Sequence, residues 1–137
     1  MTKSKTTMLA ARIGAISYAL WSILHIVLGV TRLNERMSDG TLSEGVGRLA
    51  QGHWTLIYIG VFGLILSKYN FQNNKIAYWI SAFIITAEDI GFLLFPVISG
   101  GTGFPASVVG PGLWLIGLCF TTYAYLNHDG SNPSLKP

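Results

Sequence analysis

Apolar residues along this chain come in four long runs, each bounded by polar or Gly/Pro-rich positions. The first covers about residues 8–31, MLAARIGAISYALWSILHIVLGVT, and the second about 48–67, RLAQGHWTLIYIGVFGLILS. The third covers about 76–98 and the fourth about 108–126. Each run is close to the ~20 residues that an α-helix needs to cross a ~30 Å hydrocarbon layer. None shows the continuous polar face of a soluble amphipathic helix. Backbone N–H and C=O groups inside lipid must be bonded within their own segment, so the runs are predicted to be helices. The expected fold is an all-α membrane protein: four transmembrane helices in an antiparallel bundle, both termini on the same side. Residues 1–127 form the transmembrane domain in this reading, and 128–137 a polar C-terminal tail.

The connections differ in character. Residues 33–47 are polar and carry Asn34, Glu35, Arg36, Asp39 and Glu44, with Ser43-Glu44 as a start signal for the second helix. Residues 68–75, KYNFQNNK, read as a short hairpin turn. Residues 99–112, SGGTGFPASVVGPG, have no charge and read as a loop or a shallow re-entrant element. The first run follows Lys3 and Lys5, as a signal peptide's core follows its basic start. It is long, however, and offers no small-x-small cleavage site, so it is read as a retained helix.

Composition strengthens the membrane reading. Half the residues are apolar and 11% are charged, against roughly 25% charged in soluble domains. A net charge of +3, from scattered basic residues, gives no nucleic-acid footprint. The single cysteine, Cys119, cannot form an internal disulfide and reads as packing. Lys3, Lys5, Arg12, Lys68, Lys75 and Lys136 fall on the side of the termini, against Arg32, Arg36 and Arg48 on the other. That bias predicts both termini in the cytoplasm. Trp54, Trp79, Trp114, Tyr69, Tyr78 and Tyr125 lie near span ends, as interfacial aromatic belts do.

Four ionisable groups sit inside the apolar runs: His25, His53, Glu88 and Asp89. At 1.5 Å per residue from the non-cytoplasmic ends of their helices, His25 lies about 9 Å deep, His53 about 7–8 Å and the two acids about 14–15 Å. All four therefore converge in one half of the bundle, beneath the 99–112 loop. A charged acid at the bilayer centre costs about 2.5–3.5 kcal/mol. Two adjacent acids also repel, so at least one is expected to be neutral or to have a cationic partner such as Arg32 or Arg48. Successive residues are about 100° apart on a helix. This groups Glu88 with Ser81, Ile85 and Phe92, and Asp89 with Ala82, Thr86 and Pro96. Pro96 is expected to kink the third helix near Phe92.

Structural roles compete with functional ones. A lone intramembrane histidine often serves as interhelical glue, and Gly110, Gly112 and Gly117 read as close-packing positions on the fourth helix. The adjacent acids weigh toward a site, because intramembrane carboxylates usually mark one. The leading expectation is acid/base chemistry (isomerisation, cyclisation or hydration) on a lipophilic small molecule. Glu88 or Asp89 would act as acid and His25 as base. Trp21, His53, Trp54, Phe92 and Trp114 would line the substrate pocket. The alternatives are a proton- or ion-conducting protein acting as an oligomer, and an accessory subunit of a larger membrane complex. His25, His53, Glu88 and Asp89 are ligand types for zinc or iron, but no H-E-x-x-H or E-x-x-H spacing supports a metal, and no cofactor is expected. The expected partners are the lipid bilayer and a lipophilic molecule, with self-association left open and nucleic acid excluded.

Overall fold

The computed structural model describes residues 3–38, 40 and 43–128, and they form four helices. These are α1 (Lys3–Ser38), α2 (Glu44–Asn70), α3 (Lys75–Phe92) and α4 (Ala106–Leu126), with a π-helical turn, Leu93–Val97, continuing α3. All four are long and apolar enough to cross a membrane by length and composition. The acidic Asp39 and residues 129–137 of the expected polar tail lie outside the described residues.

Three boundaries depart from the sequence expectation. First, α1 does not end near Thr31 but runs to Ser38. Its last turns are polar and held locally, with Arg32 paired to Glu35 at 2.9 Å and the Ser38 hydroxyl donating to the Asn34 carbonyl. Second, the expected kink near Phe92 takes the form of the π-turn. Pro96 has no N–H to give, and the Ile98 N–H reaches five residues back to the Leu93 carbonyl at 3.0 Å. Third, the 99–112 segment is a loop only as far as Pro105, and its remainder is the start of α4. Glycine and proline suggest a loop, but α4 accommodates both, and Pro111 sits buried inside it.

Local signals fix the other ends. The Ser43 hydroxyl accepts from the Val46 N–H and opens α2. Asn74 opens α3, its Oδ1 accepting from the N–H groups of Ile76 and Ala77. Between α2 and α3, Asn73 takes the left-handed conformation (φ 55°) that Asn tolerates better than most residues.

Helix α1 packs along α2 and α4, and α3 closes the square against the same two helices. Thus α1 and α3 lie on a diagonal. The interior is built from small and polar residues: Ala11, Ala15, Ser17, Ser22 and Ser81 are buried. Large apolar residues such as Leu20, Val27, Ile65, Phe83 and Ile98 face outward. Water would drive those residues inward, whereas a lipid surround leaves the inside to whichever residues let backbones approach closely. A Cβ on Gly60 would stand 2.8 Å from the Ser22 carbonyl, and one on Gly117 would stand 2.5 Å from the Tyr18 ring. The large buried side chains Tyr18, Trp21, Ile85 and Trp114 form one cluster across the centre. Cys119, expected to pack inside, is exposed on α4.

An acid–histidine cavity as candidate functional site

A cavity of about 670 Å³ opens at the end of the bundle opposite the α2–α3 hairpin. Four elements wall it. Helix α1 contributes Leu24, His25, Leu28 and Arg32, and α2 contributes Gly52, His53 and Leu56. Glu88, Asp89 and Phe92 come from α3, with Phe95 and Pro96 from the π-turn. Val109 and Gly110 of α4, with Thr102 and Pro105 of the preceding loop, complete it. His25, His53, Glu88 and Asp89 thus meet in one space, as their depths along the helices imply. The reason is geometric: antiparallel helices place equal axial distances from one end at equal heights.

The two acids differ. Asp89 is 1% exposed, while Glu88 is half-buried, and both border the cavity. The expected grouping of faces is corrected here. Asp89, not Glu88, continues the buried stripe of Ala77, Ser81 and Ile85. Spacings of three and four residues both lie near one helical turn, so phase alone left the choice to packing against α1 and α4. The expected cationic partner is also absent among the described residues. Arg32 pairs with Glu35, and Arg48 pairs with Glu44 at 2.8 Å.

His25 is buried, and its Nδ1 lies 2.9 Å from the Trp21 carbonyl one turn back. A carbonyl can only accept, so Nδ1 carries the proton and donates it. The neutral ring therefore keeps its lone pair on Nε2. The ring is also stacked on the Trp21 indole, with centroids 3.8 Å apart and planes at 27°. Tautomer and orientation are both set by α1 itself.

The site leaves polar atoms unfinished. Asp89 Oδ2 and His53 Nδ1 are buried without a hydrogen-bond partner in the protein. The Trp21 indole is the side-chain donor within reach of the Asp89 carboxyl, but Trp21 Nε1 also lacks a completed hydrogen bond. Gly110 faces both groups. A Cβ there would lie 3.9 Å from Asp89 Oδ1 and 3.9 Å from His25 Cε1.

Three tryptophans expected to line the pocket do not form its walls. Trp54 is 61% exposed and turns away from the cavity, because its position on α2 faces outward. Trp114 is buried in the core and donates its Nε1–H to Thr86 Oγ1 at 2.9 Å. Trp21 lies beneath the cavity, behind His25. His53 and Phe92 do line it. Gly110, which reads as a packing glycine in sequence, belongs to the site. So do Leu24, Leu56 and Val109, which carry no sequence signal because every span is rich in such residues. Gly112 meets nothing a Cβ would touch, whereas Gly117 is the close-packing position on α4. His, Cys, Asp and Glu side chains form no group of three or more able to hold a metal ion among the described residues.

No protein-family model, curated protein or solved structure matches this chain.

Proposed function

We propose that this is a multi-pass membrane protein with both termini in the cytoplasm, whose cavity performs acid/base chemistry on a lipophilic small molecule. The observation that carries the reading is a one-sided pocket that joins apolar walls to an unfinished acid–histidine set. A volume of about 670 Å³ lies within the ~300–1,000 Å³ of small-molecule sites. Below it the Tyr18–Trp21–Ile85–Trp114 cluster closes the bundle. A floor of this kind suits a substrate that enters and leaves by the same end, and works against a continuous path through one protomer.

The roles follow from the hydrogen bonds. His25 Nε2, left as acceptor by the Nδ1–H···O=C bond to Trp21, takes a proton from the substrate. Asp89, whose Oδ2 has no partner, delivers a proton at a second position. Glu88 borders the same space and balances charge. Removing a proton at one atom and adding one at another moves a double bond, closes a ring, or adds water across an alkene. All three reactions are redox-neutral, so proton-transfer groups suffice.

The test is turnover. The purified chain in lipid nanodiscs is incubated with a fractionated lipid extract, and products are followed by mass spectrometry and chromatography. The expected result is conversion of one component to an isomer, or to a product heavier by one water, abolished in Asp89→Asn. Proton flux through empty-lumen vesicles carrying the protein, with no conversion of any component, would sink this reading in favour of conduction.

A further inference from the structure

We propose that the cavity selects a lipophilic amine: a monocation with at least one N–H and an apolar body. This rests on the reading of the cavity as a small-molecule site and names the class of molecule it takes.

The argument is one of charge and hydrogen bonds. Glu88 and Asp89 are sequence neighbours that border one cavity. Two carboxyls on one cavity repel as anions, so any charge either keeps calls for a cation or a strong donor from outside the pair. The groups that face them from the other elements leave no unpaired fixed cation among the described residues. From α2 comes His53, with Nδ1 unpartnered, and from α4 and its preceding loop come Thr102, Pro105, Ala106, Val109 and Gly110, none of them charged. From α1 come His25 and Arg32. His25 is committed to the Trp21 carbonyl through Nδ1, and the Arg32 guanidinium is paired with Glu35. One negative charge in an apolar-walled space is stable only with a positive or strongly donating partner. A bare metal ion fits poorly, because no three ligating side chains converge among the described residues. The remaining volume is walled by Leu24, Leu28, Leu56, Phe92, Phe95 and Val109, which suits a hydrocarbon body. An ammonium bearing N–H groups would give Asp89 Oδ2 the hydrogen bond it does not complete in the protein. A quaternary ammonium would bring the charge without the donor.

Two probes of equal chain length separate the possibilities: dodecylamine and dodecanol. Binding of each to the chain in nanodiscs is measured by equilibrium dialysis, with empty discs subtracting membrane partition. The expected result is a preference for the amine of at least about tenfold, the scale of one charge-assisted contact. The near-isosteric double variant Glu88→Gln/Asp89→Asn is expected to bring the preference close to one. Glu44→Gln, which removes a surface acid outside the cavity, should leave it unchanged. Equal binding of both probes, each weakened by Leu56→Trp, would overturn the amine proposal while the lipophilic pocket stands. A preference retained in the double variant would also overturn it, by placing the amine elsewhere. Binding of neither probe above empty discs would remove the pocket reading together with the proposal.

Discussion

At the hairpin end of the bundle, polar side chains bond from one helix to the next; at the cavity, the buried ones do not. Asn70 donates to the buried Ser81 hydroxyl at 2.6 Å, joining α2 to α3. Asn73 donates toward the Ala124 carbonyl and meets His128 Nδ1 at 2.9 Å, tying the hairpin to α4. The Thr7 hydroxyl donates to the Asn127 carbonyl, joining the two ends of the chain's helical part. Tyr78 stacks on Tyr125 and meets the Thr122 hydroxyl. Among the described residues, four buried side-chain polar atoms lack a hydrogen-bond partner. Three of them, Asp89 Oδ2, His53 Nδ1 and Trp21 Nε1, belong to the cavity or its floor, and the fourth is Tyr18 Oη in the core. A buried polar group left unpaired is costly. The hairpin end has removed that cost within the chain, and the cavity end has kept it. Stability that is given up at one end and secured at the other is what the proposed ligand site requires.

That contrast can be broken or sharpened by substitution. The largest effect is expected at the cavity. Asp89→Asn and His25→Ala should each lower turnover in the lipid-extract assay by about 10²–10⁴-fold, the usual weight of a positioned acid or base. Asp89→Asn should at the same time leave denaturant stability within ~0.5 kcal/mol or raise it, since it removes a buried acid that has no cationic partner. A loss of folding with Asp89→Asn would show that the carboxylate is structural, and the contrast would fail.

Next comes the seam that both ends share. Gly117→Ala sets a methyl group against the Tyr18 ring, where a Cβ would stand 2.5 Å away. Overpacking of this kind should destabilise the bundle by ~1–3 kcal/mol in a detergent unfolding titration. The hairpin end should respond less. Asn70→Ala strips the Ser81 hydroxyl of its partner, and interhelical hydrogen bonds in membranes carry ~0.6–1.7 kcal/mol. Its effect on turnover should track the loss of folded protein and nothing more.

The smallest stability change is expected at Gly110. A methyl group there meets Asp89 Oδ1 and His25 Cε1 at 3.9 Å, an ordinary contact distance. Gly110→Ala should therefore shift stability by less than ~0.5 kcal/mol. It narrows the space between acid and base, so KM for the substrate should rise while the fold holds. Two glycines seven residues apart on α4 would then separate cleanly, one serving the seam and the other the site.

Sequence and structure contributed differently to these two ends. The hairpin was readable because Asn73 and Asn74 are local signals, acting within a few residues. The site was readable in part, because His25, His53, Glu88 and Asp89 are conspicuous against apolar runs. The tryptophans were not placed correctly. A large aromatic residue in an apolar span is compatible with belt, core or pocket, and only packing on neighbouring helices distinguishes Trp54, exposed, from Trp114, buried. The same holds for Gly110 and Gly117, identical in type and separated only by what each faces across the bundle.

What the sequence determined by itself is what depends on one segment at a time. Four apolar runs, each long enough to cross a membrane, point to four helices, since a helix bonds its backbone within its own segment. Antiparallel order and residue rise then put two acids and two histidines at one end. The tertiary structure decided what depends on rotation and contact between segments. It buried Asp89 more deeply than Glu88, set Gly110 against Asp89 and His25, and turned Trp54 outward and Trp114 inward. Each of those outcomes is settled by which neighbour a side chain meets, and the interhelical seams of small residues set that neighbour.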